Sequence, residues 1–164
     1  MGVFETALIV ATLLCSLVAG FVLAFAVVVM PGLQHFNDRD FLRAFKFIDG
    51  IIQNNQPVFM LVWIGSIISL VIATLLGLSH LQGTERFLLL VATAAYLVGV
   101  QASTFTINVP LNNQLQVMDL EAAADTEIER ARSAFEPRWN RWNTIRTAVA
   151  TLVSLVLLVL LFRV

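Results

Sequence analysis

The sequence predicts an all-α protein forming one integral membrane domain over residues 1–164: a four-helix transmembrane bundle with a short interfacial amphipathic helix between spans one and two. Three observations carry that prediction. No Asp, Glu, Lys or Arg occurs within residues 6–37, 50–84, 87–118 or 147–162. A bilayer core about 30 Å thick is crossed by about 20 apolar helical residues, and the first three runs are long enough. The fourth reaches across if it starts near Trp142, which sets Arg146 about one turn inside the membrane edge. Second, the chain is 59% hydrophobic and 13% charged with a mean hydropathy of +0.85, where a soluble domain carries about a quarter charged residues. Third, small residues recur every four positions inside the runs, the spacing that lets helix backbones approach closely in lipid.

Span one is placed near residues 4–30. No Lys or Arg precedes Arg39, and the apolar run exceeds the roughly 7–15 residues of a cleavable signal core, so it reads as a retained span. Its small residues are Ser16, Gly20 and Ala24. The next stretch places Phe41, Phe45, Ile48 and Ile52 on one helical face and Arg39, Arg43 and Lys46 on the other, with Asn37 or Asp38 available as cap. Such a helix lies in the membrane interface or tucks against the bundle mouth. Span two, near 58–78, carries Gly65, Ser69, Ala73 and Gly77 and is expected to pack centrally. A tight turn with Gly83 leads to span three, near 87–109, which carries Ala95, Gly99 and Ser103. An acidic stretch from Asp119 to Glu129, with Arg130 and Arg132, reads as a solvated helix leading to span four, near 142–162.

Four spans put both termini on one side. The two long connections carry seven basic residues and the other side carries Arg86 and Arg163. Basic residues favour the cytoplasm, so the expected orientation has cytoplasmic connections and non-cytoplasmic termini. The net charge of −1 gives no electrostatic footprint for nucleic acid. Cys15 stands alone and excludes an intrachain disulfide. His35 and His80 fall on opposite sides, no Glu-x-x-His pair occurs, and no metal site is expected.

The polar chemistry gathers at one end. Gln101, Thr104 and Asn108 share a face of span three, followed by Pro110, Asn112 and Asn113. Trp139, Trp142, Asn143 and Arg146 share a face at the start of span four, and Gln34, His35 and Asn37 follow span one. Arg146 is the sharpest of these, because a guanidinium at that depth must snorkel, pair or face a wet cavity. No acidic residue lies in any span core to neutralise it. Asn108, Asn112, the Pro110 carbonyl or an anionic ligand are its candidate partners. The plainer reading makes it an interfacial arginine reaching headgroups beside belt tryptophans.

Val29-Met30-Pro31-Gly32-Leu33, Asn108-Val109-Pro110-Leu111-Asn112 and Trp139-x-x-Trp142-Asn143-x-x-Arg146-Thr147 stand in an order and spacing that resembles the anthrone oxygenase-like membrane proteins. The likeness runs from span one to span four. It implies a four-helix membrane protein and, for the members with an assigned role, oxidation of a polycyclic phenol such as an anthrone to its quinone. That chemistry asks for no metal and no cofactor, because an anthrone carbanion itself reduces O₂. It asks for a base, donors to an oxyanion and a dry aromatic pocket. The resemblance implies Asn108, Asn112, Asn143 and Arg146 as donors, with Trp139, Trp142 and Phe105 facing the rings and Gln101 lining the substrate site. Members often carry His after the span-four Asn, where this chain has Thr144; His35 is the substitute base.

Two other readings stay open beside an oxygenase fed from the lipid bilayer. One is a non-catalytic protein holding a quinone, lipid or other hydrophobic ligand under the Asn/Arg mouth. The other is a structural subunit whose small-residue faces pack on a partner membrane protein.

Overall fold

The computed structural model describes residues 2–164, and its described residues are helical with no strand. Four helices are long and apolar enough to cross a membrane: α1 Val3–Leu33, α3 Pro57–His80, α4 Gly83–Gln116 and α5 Asp125–Leu161. A shorter helix, α2 Asp38–Gln53, lies between α1 and α3. All four spans are longer than the placements near 4–30, 58–78, 87–109 and 142–162. Span three passes through Pro110 and continues to Gln116, and span four begins at Asp125 with Pro137 inside it.

Local chemistry sets the helix ends. Asn37 accepts from the Asp40 amide at 2.9 Å and starts α2. Asn55, at φ 57, ends that chain segment, and the Gln56 side chain then caps α3 with Pro57 in its first turn. Gly83 takes φ +54 in the tight turn between α3 and α4, a conformation that side-chain-bearing residues rarely adopt.

Two proline-containing spans each widen just before the ring. Residues Phe25–Val29 form a π turn ahead of Pro31, and Thr104–Asn108 form another ahead of Pro110. A proline supplies no amide hydrogen and its ring presses on the carbonyl four residues back. A wider turn upstream relieves that pressure and keeps the helix running. A further π stretch, Tyr96–Ala102, precedes the second turn in α4.

The spans pack with α1 between α3 and α5, and α4 closes on α5. Span two packs through its small residues, but the central helix is α1 and not span two as expected, because α1 packs along both α3 and α5 while α3 makes no comparable contact with α5. A Cβ on Gly77 would meet Leu89 Cδ2 at 2.5 Å and Phe4 at 3.3 Å, and one on Gly65 would meet Leu14 at 3.1 Å. Gly99 of α4 lies equally close to Val149 of α5. Span one differs from the expectation. Gly20 and Ala24 are exposed, and α1 buries Leu8, Ala11, Cys15, Val18 and Val22 instead. Small residues permit close approach, but the larger apolar face on the other side of this helix buries more surface.

The amphipathic helix is tucked against the bundle mouth. It buries Phe41, Leu42, Phe45 and Asp49, while Ile48 and Ile52 are only half-buried. Its basic face is not free for headgroups. Arg39 donates to the carbonyls of Leu120 and Ala123 and pairs with Asp125. Arg43 pairs with Glu121 at 2.7 Å, and Lys46 donates to the Met118 carbonyl at 2.6 Å. The hydrogen bond to Glu121 and that carboxylate's charge hold the Arg43 pKa above its ordinary value. The connection between α4 and α5 is thereby clamped over α2, and Arg132 of α5 does the same for the α1–α2 linker through Phe36 and Asp38.

Candidate functional site

At this mouth the helices enclose a cavity of about 440 Å³. Its walls are aromatic and apolar, with a few polar groups. Phe59 and Trp63 of α3 stack with ring centroids 5.3 Å apart, and Phe21 of α1 leans on Phe59 at 5.2 Å. Opposite them, Trp139 of α5 meets Phe45 of α2 edge-on at 5.3 Å and Phe25 of α1 at 5.6 Å. Five separate segments supply these six rings or the polar groups between them. The π turns contribute directly, since Phe25 begins one and both Thr104 and Asn108 belong to the other.

Arg146 stands in the wall with 4% of its surface exposed. One guanidinium nitrogen donates to Thr104 Oγ1 at 2.9 Å and another to Asn143 Oδ1 at 3.0 Å. Its Nε has no partner, and none of the ion pairs among the described residues includes it. The cation therefore rests on neutral oxygens alone, with the Trp139 ring centroid 5.7 Å from its Cζ. Asn143 is itself held by donating to the Val22 carbonyl at 3.0 Å, three residues ahead of the π turn in α1. Asn108, 2% exposed, has neither its amide nitrogen nor its oxygen bonded. An unpaired buried amide costs about 1–3 kcal/mol, so Asn108 is a donor and acceptor held ready in the cavity wall.

The cavity brings together Arg146, Asn143, Asn108, Asn112 and Trp139, with Phe105 at its edge. The contacts among them differ from the sequence expectation. Asn112 does not reach Arg146. It donates to Asp49 Oδ1 at 2.7 Å and accepts from the Trp139 indole at 2.9 Å. Arg146 takes Thr104 as partner, not Asn108, Asn112 or the Pro110 carbonyl. Phe105 is 57% exposed and forms the outer rim together with Ile64, 44% exposed.

Three expected residues stand apart. Gln101 is buried with its amide unpartnered but does not line the cavity. Trp142 is half-buried and outside the lining, although it lies three residues from Trp139 and four from Arg146. His35 is exposed on the α1–α2 linker, where the turn after Leu33 carries it out of the bundle. Thr144 is exposed too and spends its hydroxyl on the Asn140 carbonyl, so no side chain at that position faces the cavity.

Asp49 was missed. It is 4% exposed, lines the cavity, and accepts from three side-chain amides: Asn112 on Oδ1, and Gln53 at 2.7 Å and Gln116 at 2.8 Å on Oδ2. A signal for it existed. Phe41, Phe45 and Asp49 fall at i, i+4 and i+8 on the apolar face of an amphipathic helix, where a carboxylate stays only with partners or a purpose.

A family model described as anthrone oxygenase matches residues 56–156, more than half of the chain. The match contains Asn108, Asn112, Trp139, Asn143 and Arg146, and α1 and α2 lie outside it. No curated protein and no solved structure matches the chain.

Proposed function

This chain belongs to the anthrone oxygenase family, and on that premise we propose that it is a membrane-embedded oxygenase. It oxidises a lipophilic polycyclic phenol with O₂, needing no cofactor because the substrate anion is itself the reductant. One observation carries the reading: Arg146 is buried without a carboxylate partner, near an unpartnered Asn108, in the wall of an aromatic cavity.

A buried cation resting on neutral oxygens favours an anion beside it. Loss of a proton from the ring carbon of an anthrone places negative charge on the ring oxygen. Arg146 and Asn108 donate to that oxygen, and their positions are held before the charge develops. The carbanion gives one electron to O₂, and the resulting carbon radical and superoxide couple to a peroxide. The O–O bond then breaks as the second proton leaves the same carbon. One O₂ enters, one oxygen atom remains as the new carbonyl, and the other departs as water. The six aromatic side chains hold the flat ring system and keep water out. The rim at Phe105 and Ile64 faces the lipid, so the substrate arrives from the bilayer. The seven basic residues of the two long connections support a cytoplasmic mouth.

The test is oxygen uptake by purified protein in detergent with anthrone, followed by absorbance of the quinone. Uptake and quinone in a one-to-one ratio, both lost in Arg146→Met, support the oxygenase. A second reading has its own support, because the free donor and acceptor of Asn108 also suit a neutral quinone. Tight quinone binding with no oxygen uptake makes the protein a carrier or sensor of that ligand.

A further inference from the structure

We propose that Asp49 is the general base that takes the proton from the substrate carbon; the assignment rests on the oxygenase reading above. The cavity contains one carboxylate, and it is this one. A carboxylate has about four lone-pair sites, and the amides of Asn112, Gln53 and Gln116 occupy three. The remaining site is on Oδ1, the oxygen that carries only Asn112.

The kind of partner matters as much as the number. Its partners are neutral amides, and none of the ion pairs among the described residues ties it to a cation. A carboxylate bridged to arginine would be quenched as a base. On its own helix the nearest basic side chain, Lys46, is turned to the Met118 carbonyl. Helix α4 offers it only amides, and α5 offers Trp139 and, in the cavity wall, Arg146. Arg146 and Asp49 are joined through that wall: the guanidinium lies near the Trp139 ring, the indole donates to Asn112, and Asn112 donates to Asp49. The base and the oxyanion donors thus hold fixed positions around one cavity.

The step balances. The C–H bond breaks, its electron pair stays on the ring system, and the proton forms an O–H bond on Asp49. Asp49 returns that proton to the peroxide oxygen. It then takes the second C–H proton as the O–O bond breaks, and hands it to the departing hydroxide, which leaves as water. Oxygen is the oxidant throughout and Asp49 ends ionised.

The experiment follows exchange of the anthrone C–H with D₂O under anaerobic conditions, beside aerobic oxygen uptake and binding of anthraquinone. In Asp49→Asn, exchange and uptake fall by about 100-fold or more, while anthraquinone binding stays within a few-fold of wild type. Raising the pH until anthrone ionises unaided restores uptake in the variant. Exchange in Asp49→Asn at the wild-type rate overturns the assignment while leaving the oxygenase reading intact. Exchange by wild type without oxygen uptake keeps Asp49 as base and removes the oxygenase; neither activity in wild type removes both. If Asp49→Asn does not hold its fold in detergent, Gln116→Met decides. With one of the amides that fix the carboxylate gone, exchange falls while anthraquinone binding stays within a few-fold of wild type. A residue that only clasps α2 to α4 leaves the exchange rate of the folded protein in place.

Discussion

The two ends of the bundle treat buried polar groups in opposite ways. In the end away from the mouth, the Thr74 and Thr93 hydroxyls meet at 2.6 Å, each also within reach of the carbonyl four residues back. Nearer the middle, Ser66 meets the Tyr96 hydroxyl at 2.7 Å. Small residues bring the helices together there, and apart from the Ser154 hydroxyl and one Glu5 oxygen the polar side-chain atoms buried among the described residues have partners. At the mouth, Asn108 leaves its whole amide unbonded and Arg146 leaves a nitrogen unbonded, and Gln101, one turn before Thr104 and outside the cavity lining, leaves its amide unbonded too. The same chain satisfies its polar atoms where they only hold helices together. Around the cavity it leaves Asn108 and one Arg146 nitrogen open while Asp49, Asn112 and Asn143 are bonded. Unbonded donors beside a cavity are a stability loss that a ligand recovers.

The largest effect that tests this contrast comes from Arg146→Met. Removing an oxyanion donor typically lowers turnover by about 100- to 1000-fold, and the substitution also removes the only buried guanidinium in the cavity wall. Oxygen uptake and quinone binding should both disappear, whereas Arg163→Met at the other end, exposed beside Glu85, should leave both unchanged. Equal activity in the two variants would erase the distinction between the ends.

Gly77→Leu attacks the other end. The new side chain would start 2.5 Å from Leu89 and 3.3 Å from Phe4, and overpacking of this kind costs about 1–3 kcal/mol. Thermal unfolding in detergent should fall, while the protein that remains folded should turn over normally. An unchanged melting temperature would mean that α3 does not rely on that face.

Much of this contrast was legible in the sequence, and the illegible part has physical causes. Uncharged runs fix spans because lipid admits few alternatives. Arg146 and Asn143 were legible because a charge and an amide on one face at the start of a span are expensive in lipid. For Asp49 only its place on the apolar face of α2 was legible; its partners were not, because two of the amides come from α4, more than sixty positions away in the chain. The stripe of Gly20 and Ala24 misled because spacing shows which face can pack, and only the whole bundle decides which face does. The π turns were hidden because Pro31 and Pro110 mark a helix end as readily as a widened turn. Widening keeps the chain helical past each ring, so both spans run longer than the apolar count implied.

Asn108→Leu sharpens the comparison by changing sign between two measurements. It removes an amide with no partner from a buried site, so the empty protein should gain stability by up to about 1–3 kcal/mol. Quinone binding and turnover should fall. Thr74→Val at the other end removes one member of a bonded hydroxyl pair and should lose stability with activity unchanged. A loss of stability in both would show that Asn108 has a structural partner after all.

The smallest effect is expected at the rim. Phe105 lies between Thr104 and Asn108 in sequence yet is 57% exposed, and Ile64 faces it from α3 with similar exposure. The bonds between α3 and α4 run from Thr74–Thr93 to Ser66–Tyr96, and the cavity edge lies beyond the last of them. The two helices are thus tied on one side of this edge only, which makes the untied side the proposed lateral opening. Phe105→Ala widens the opening without touching the oxyanion donors, so it should alter kcat/KM by a few-fold and leave kcat as it was. Val98→Ala, at an even more exposed lipid-facing position of α4 and outside the cavity lining, should alter neither. If Phe105→Ala lowers kcat as deeply as Asn108→Leu, the ring belongs to the inner wall. If it changes nothing, the substrate arrives from the side covered by α2, and the opening between α3 and α4 is filled by lipid alone.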